Sequence, residues 1–136
     1  EICAKNADKP PLTYVEIKRT IDQFQNDESW MLTSAGRFSE KAEMFPNSVF
    51  IIGADTLMRV FDEKFYKSYK DMMEHIQRFN DHNINFLVFG RKVGKKFVSL
   101  NQIKIPEIIK DRCTGFEEDS FRDDISSTEL RLTKND

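Results

Sequence analysis

The densest run of chemistry-bearing side chains is Ile125-Ser126-Ser127-Thr128-Glu129-Leu130-Arg131. Ser126 and Glu129 have the spacing of a capping box, in which a hydroxyl and a carboxylate each satisfy a backbone N–H at a helix start. Such a start leaves other N–H groups and the positive end of the helix dipole facing outward, a setting that favours phosphate. Ser127 and Thr128 add hydroxyl donors. Arg131 follows Ser127 by one turn on the same face, where its guanidinium fork matches phosphate oxygens. The pattern suits a grip on a triphosphate. Taken alone it suits an ordinary capped helix with a surface arginine better, because motifs this short often match by accident.

Three other groups belong to the same chemistry. Gly53-Ala54-Asp55-Thr56 follows an apolar run. The glycine lets a ligand approach the backbone, and Asp55 can accept from a ribose hydroxyl or a base amine. The plainer reading is a strand-to-helix turn with Asp55 as the helix cap. Asn6-Ala7-Asp8-Lys9-Pro10-Pro11-Leu12 puts Lys9 in a stiff loop, where its ammonium can neutralise a phosphate or simply stay solvated. Gly90-Arg91-Lys92-Val93-Gly94-Lys95-Lys96 sets four cations between and beside two glycines, either as a closure over an anion or as a surface loop. It is not a P-loop, since Gly90 is too near and no Ser or Thr follows the lysine.

The remaining reactive residues carry little. His75 and His82 are the only histidines, in no metal-binding or nucleophile-activating spacing, and both read as structural or exposed. No metal site is expected. The twelve phenylalanines fall mostly at core spacings rather than forming base-stacking platforms.

The elements that must position these groups alternate. Residues 2–4 form a short apolar run, and two prolines then break the chain. Thr13 and Glu16 form a capping box ahead of Tyr14, Ile17, Ile21 and Phe24, which predicts an amphipathic helix of about three turns. Residues 30–33 read as a strand. A short helix with Phe38, Ala42 and Phe45 on one face ends at Pro46. The apolar run 49–52, closed by Gly53, suits a strand buried on both faces of a parallel sheet. Tyr69, Met72, Met73, Ile76 and Phe79 mark a longer helix. Residues 86–89, closed by Gly90, are a second buried strand, 97–100 a small extra one, and Ser126 opens a final helix. This alternation predicts an α/β fold with a Rossmann-like doubly wound parallel sheet. Ligands of such sheets bind outside the carboxyl ends of the strands, where Lys9, Gly53, Asp55 and Arg91 fall.

The bulk properties agree with one soluble globular domain over residues 1–136. Of 136 residues 39% are hydrophobic and 32% charged, and the net charge is −2. Nothing global draws the chain to nucleic acid or to an anionic membrane. No apolar run is long enough to span a bilayer, and no signal peptide opens the chain. Cys3 and Cys113 make neither a disulfide framework nor a metal cluster, and a cytoplasmic location is expected. The opening residues read as a strand entered midway, so the chain is expected to be the C-terminal, N-terminally truncated part of a larger domain. A missing strand would expose a sheet edge and favour self-pairing. The oligomeric state is not legible in the sequence.

Together these motifs resemble the nucleotidyltransferase superfamily of adenylyl- and cytidylyltransferases. The resemblance rests on the Ile-Ser-Ser-Thr-x-x-Arg stretch at 125–131, the Gly-x-Asp turn at 53–55, and an Asn-x-x-Lys-x-Pro-Leu loop at 6–12, which looks like that of phosphopantetheine adenylyltransferases. The stretches 6–12 and 50–66 are most similar to cytidylyltransferase-like proteins grouped with nicotinamide mononucleotide adenylyltransferases. The family's His-x-Gly-His unit does not occur here, and the first strand matches the family's second.

The resemblance implies ATP, with Mg²⁺, as the substrate of adenylyl transfer to a phosphate-bearing acceptor such as nicotinamide mononucleotide, or phosphopantetheine in second place, with release of pyrophosphate. It implies that Ser126, Ser127, Thr128 and Arg131 hold the departing phosphates and that Lys9 neutralises the acceptor phosphate or the α-phosphate. Gly53 and Asp55 would line the nucleoside pocket, and Arg91 would touch a phosphate. Without the His motif this chain alone is expected to be inactive. The alternative is a non-catalytic nucleotide-binding module or a scaffold domain.

Overall fold

A computed structural model describes residues 1–5 and 10–121. Within them, strands and helices alternate. Strand β1 (Ile2–Cys3) is followed by α1 (Tyr14–Ile21), β2 (Leu32–Thr33), α2 (Phe38–Met44), β3 (Val49–Gly53), α3 (Ala54–Val60), α4 (Tyr69–Asp81) and β4 (Asn85–Phe89). Strands β5 (Arg91–Val93), β6 (Lys96–Val98) and β7 (Cys113–Phe116) complete the order, with short 3₁₀ turns between β6 and β7.

The local signals explain most of these boundaries. Thr13 accepts from the Glu16 N–H at 3.3 Å, and the Glu16 carboxylate accepts the Thr13 N–H at 2.7 Å. The capping box therefore forms as its spacing requires. Helix α1 stops after eight residues, and Phe24 lies in the turn beyond it, so the helix is shorter than its periodicity predicts. Ser68 caps α4 by accepting from the Asp71 N–H at 3.2 Å. At the other end Asn83 takes φ of 52°. The Ile84 N–H bonds back to the Phe79 carbonyl at 2.8 Å, and the Asn83 N–H to Asn80 at 3.1 Å. This is the Schellman arrangement, with Asn in the left-handed position usually given to Gly.

Three strands form a parallel sheet in the order β3-β4-β7, and β1 pairs with β2 in a separate parallel pair. In register, Phe50 faces Phe86 and Ile52 faces Val88 across β3 and β4, while Val88 faces Gly115 across β4 and β7. The fold is thus mixed α/β with parallel sheets. Strand β7 escapes prediction because Cys-Thr-Gly-Phe has neither an apolar run nor a clear alternation.

The core sits on one side of the three-stranded sheet. Phe79, Phe86, Leu57, Ile76, Ile84, Ile109 and Val88 are fully buried. The rings of Phe38, Phe50, Phe86 and Phe79 follow one another at centroid distances of 6.1, 5.9 and 5.1 Å, joining α2, β3, β4 and α4. Each such side chain contributes about 1.5–3 kcal/mol by leaving water.

The other side differs from expectation. The run 49–52 was expected to be buried on both faces, but Val49 and Ile51 are 59% and 68% exposed. Alternate residues of a strand point to opposite faces. Phe50 and Ile52 therefore meet the core, while Val49 and Ile51 face away from it. No helix among the described residues is long and apolar enough to cross a membrane.

Candidate functional site

The carboxyl ends of β3 and β4 bring three of the predicted residues together. Strand β3 runs straight into α3 with no intervening loop, so Gly53 is the N-cap and Asp55 already lies in the first helical turn. This corrects the expectation that Asp55 caps the helix. Its carboxylate stands instead near the positive end of the helix. Arg91 opens β5 directly after Gly90. Its Nε lies 3.8 Å from Asp55 Oδ1, with the side chains 30% and 43% exposed. Pairs this open to water contribute about 0–1 kcal/mol, so the contact orients the two groups more than it stabilises the fold.

Gly53 has φ of −79°, which any residue adopts. Its role is to leave space. A Cβ there would lie 2.6 Å from Asp55 Oδ1, 3.1 Å from Arg91 Cγ and 3.3 Å from Arg91 Nε. The absence of a side chain lets the carboxylate and the guanidinium close over the strand end.

Beside this trio is an open cleft of about 310 Å³ lined by Ile51, Ile52, Gly53, Phe89, Arg91 and Phe121. Phe89, the last residue of β4, stacks on Phe116 at 4.9 Å and meets Phe121 edge-on at 4.8 Å. The phenylalanines are expected mostly at core spacings, and the pattern of the sequence does not mark this aromatic wall. Its position is the signal, since Phe89 ends the central strand β4 and ligands of α/β folds bind outside the carboxyl ends of the strands. A cleft with aromatic and apolar walls and one guanidinium, with the Asp55 carboxylate beside that guanidinium, can take a flat ring and an anionic tail.

The cationic run at 90–96 is not a loop. It is an antiparallel hairpin in which Arg91 pairs with Val98, Lys92 with Phe97 and Val93 with Lys96. Gly94, at φ of 62°, supplies the left-handed turn residue. The small strand expected at 97–100 is its second arm, Lys96–Val98.

Lys9, Ser126, Ser127, Thr128 and Arg131 lie outside the described residues. Among the described residues no three of His, Cys, Asp and Glu gather as metal ligands.

His75 belongs to a different cluster. Arg37 Nη1 lies 2.9 Å from His75 Nε2, and Ser39 Oγ lies 2.8 Å from His75 Nδ1. A guanidinium only donates, so Nε2 accepts, the proton sits on Nδ1, and Nδ1 donates to Ser39. The Arg37 guanidinium also lies 5.5 Å from the Tyr66 ring centre. Burial, then Arg37 and Arg78, hold the His75 pKa below its ordinary value of 6.5. Ser39 is buried, so no substrate reaches its hydroxyl. Burial pushes the Cys113 thiol up to about 11, which keeps it protonated and unreactive.

No family model matches the chain, and neither a curated protein nor a solved structure matches it.

Proposed function

We propose that this chain binds ATP at the carboxyl ends of its parallel strands and that, in a complete protein, it serves adenylyl transfer to a phosphate-bearing acceptor such as nicotinamide mononucleotide. The proposal includes a nucleotidyltransferase-like, Rossmann-like doubly wound sheet. The observation that carries it is the meeting of Gly53, Asp55 and Arg91 beside the Phe89 cleft, with the Ile-Ser-Ser-Thr-x-x-Arg motif of 125–131 in the same chain.

In this reading the base and ribose lie against Phe89 with Asp55 accepting from a hydroxyl or amine. Arg91 touches a phosphate of MgATP; by resemblance Ser126, Ser127, Thr128 and Arg131 hold the β- and γ-phosphates and Lys9 neutralises the acceptor phosphate or the α-phosphate. The acceptor phosphate attacks the α-phosphorus of ATP, the bond to the β-phosphate breaks, and pyrophosphate leaves. The protein positions these groups and offsets developing negative charge.

One observation favours a second reading for the chain by itself, that of a non-catalytic nucleotide binder. The sequence holds no His-x-Gly-His, and of its two histidines His75 is already engaged by Arg37 and Ser39.

Calorimetric titration of the chain with MgATP tests binding, and the absence of saturable heat would sink both readings. In a complete protein, Arg131→Ala is expected to lower pyrophosphate release from ATP and nicotinamide mononucleotide strongly. An unchanged rate would remove Arg131 from the phosphate site.

A further inference from the structure

The hairpin at the rim of the cleft has two chemically different faces. Cross-strand partners point to the same side of a ribbon, and alternate residues point to opposite sides. Arg91, Val93, Lys96 and Val98 therefore share one face, while Lys92 and Phe97 share the other. Two contacts fix which face is which. Arg91 Cγ and Nε lie beside Gly53 and Arg91 lines the cleft, so the first face adjoins the cleft at its Arg91 end. The Phe97 ring closes over Gly90, on the side of Lys92.

Arg91 and Lys96 are diagonal neighbours on the cleft face, which puts them about 7–8 Å apart along the ribbon. Lys96 is exposed, and among the described residues no carboxylate forms a salt bridge with it. At Gly94 a Cβ would meet nothing within 4 Å, so the tip of the hairpin is open. A single cation at the cleft rim would neutralise one phosphate. A second, one diagonal further out, follows a phosphate chain leaving the cleft.

We propose that Lys96 is a second phosphate-binding cation of this site, acting with Arg91 on a polyphosphate chain, and that Lys92 on the opposite face takes no part. The proposal rests on the nucleotide-binding reading and adds to it which hairpin lysine the ligand uses.

The test is calorimetric titration of the full 136-residue chain with MgATP, with inorganic tripolyphosphate and with adenosine, each at low and moderate salt. Circular dichroism confirms that the variants fold. Lys96→Ala is expected to weaken MgATP and tripolyphosphate binding about five- to tenfold, to flatten the salt dependence, and to leave adenosine unchanged. Lys96→Arg is expected to restore binding, and Lys92→Ala to stay within about twofold of the parent chain. Tripolyphosphate bound as tightly as ATP, with adenosine ignored, would keep Lys96 and identify the ligand as a free polyphosphate. Parent-like binding by Lys96→Ala, or an equal loss in Lys92→Ala, would overturn the proposal and leave nucleotide binding intact. A parent chain that binds none of the three ligands would overturn both.

Discussion

Arg37 Nη1 donates to His75 Nε2 at 2.9 Å, so a permanent cation adds to burial in favouring the neutral imidazole. The contact joins the N-cap of α2 to the middle of α4 and continues through Nδ1 to the buried Ser39 hydroxyl. Protonating His75 would replace an accepting nitrogen with a donor facing a guanidinium. Asp71 Oδ1, 3.8 Å from Nε2, offsets this only in part.

A pH dependence follows. The folded-state pKa of His75 lies below the ordinary value of 6.5, so between the two values the unfolded chain binds more protons. The stabilisation is complete above about pH 6.5 and is lost as pH falls through the folded pKa. The melting temperature is expected to drop between pH 7.5 and 5.5. His75→Gln, which keeps a hydrogen-bonding side chain without titrating, is expected to flatten that drop. Parallel pH profiles for the two proteins would remove His75 as its source.

Gly53→Ala separates fold from site. The added methyl meets side-chain atoms, Asp55 Oδ1 and Arg91 Cγ and Nε, rather than backbone, so the stability cost by urea denaturation is expected at the low end of overpacking, about 1 kcal/mol. MgATP affinity is expected to fall about tenfold as the Asp55–Arg91 pair opens. Unchanged affinity would show that the strand end does not contact the nucleotide.

The amino ends of the same strands hold no predicted site. There Asn83 Nδ2 donates to Asn47 Oδ1 at 3.1 Å, and Arg112 Nη1 donates to Asn83 Oδ1 at 2.8 Å. Asn83→Ala keeps the left-handed backbone but loses both bonds, and about 1–2 kcal/mol of stability should go with them. MgATP affinity, referred to the folded fraction, is expected to be unchanged. A loss of affinity at constant stability would contradict the assignment of the ligand to the carboxyl ends.

Strand β3 pairs with β4 alone among the described residues and shows Val49 and Ile51 to solvent without a charge or proline in the strand. Edges of this kind recruit other strands. The chain is expected to self-associate at tens of micromolar or above in size-exclusion chromatography with light scattering, and Ile51→Lys to reduce the apparent mass. A parent chain that stays monomeric would rule out pairing through this edge.

Sequence alone determined the elements whose causes are local. The Thr13–Glu16 box starts α1, Ser68 and the spacing of Met72, Ile76 and Phe79 define α4, and the apolar runs before Gly53 and Gly90 end as β3 and β4. Caps and periodicities act within a turn or two, so they can be read from the residues themselves. They also pointed to the strand ends where Gly53, Asp55 and Arg91 meet. Tertiary structure decided the rest. Strand β7 exists because β4 offers it a parallel edge, and Asp55 turns from a supposed cap to Arg91 because β3 enters α3 without a loop. His75 is held toward its neutral form by burial and by Arg37, thirty-eight positions away in sequence. Val49 and Ile51 stay exposed because α2 and α4 pack on the opposite face. Each of these depends on contacts between distant segments, whose formation rests on the packing of the whole core rather than on any local preference.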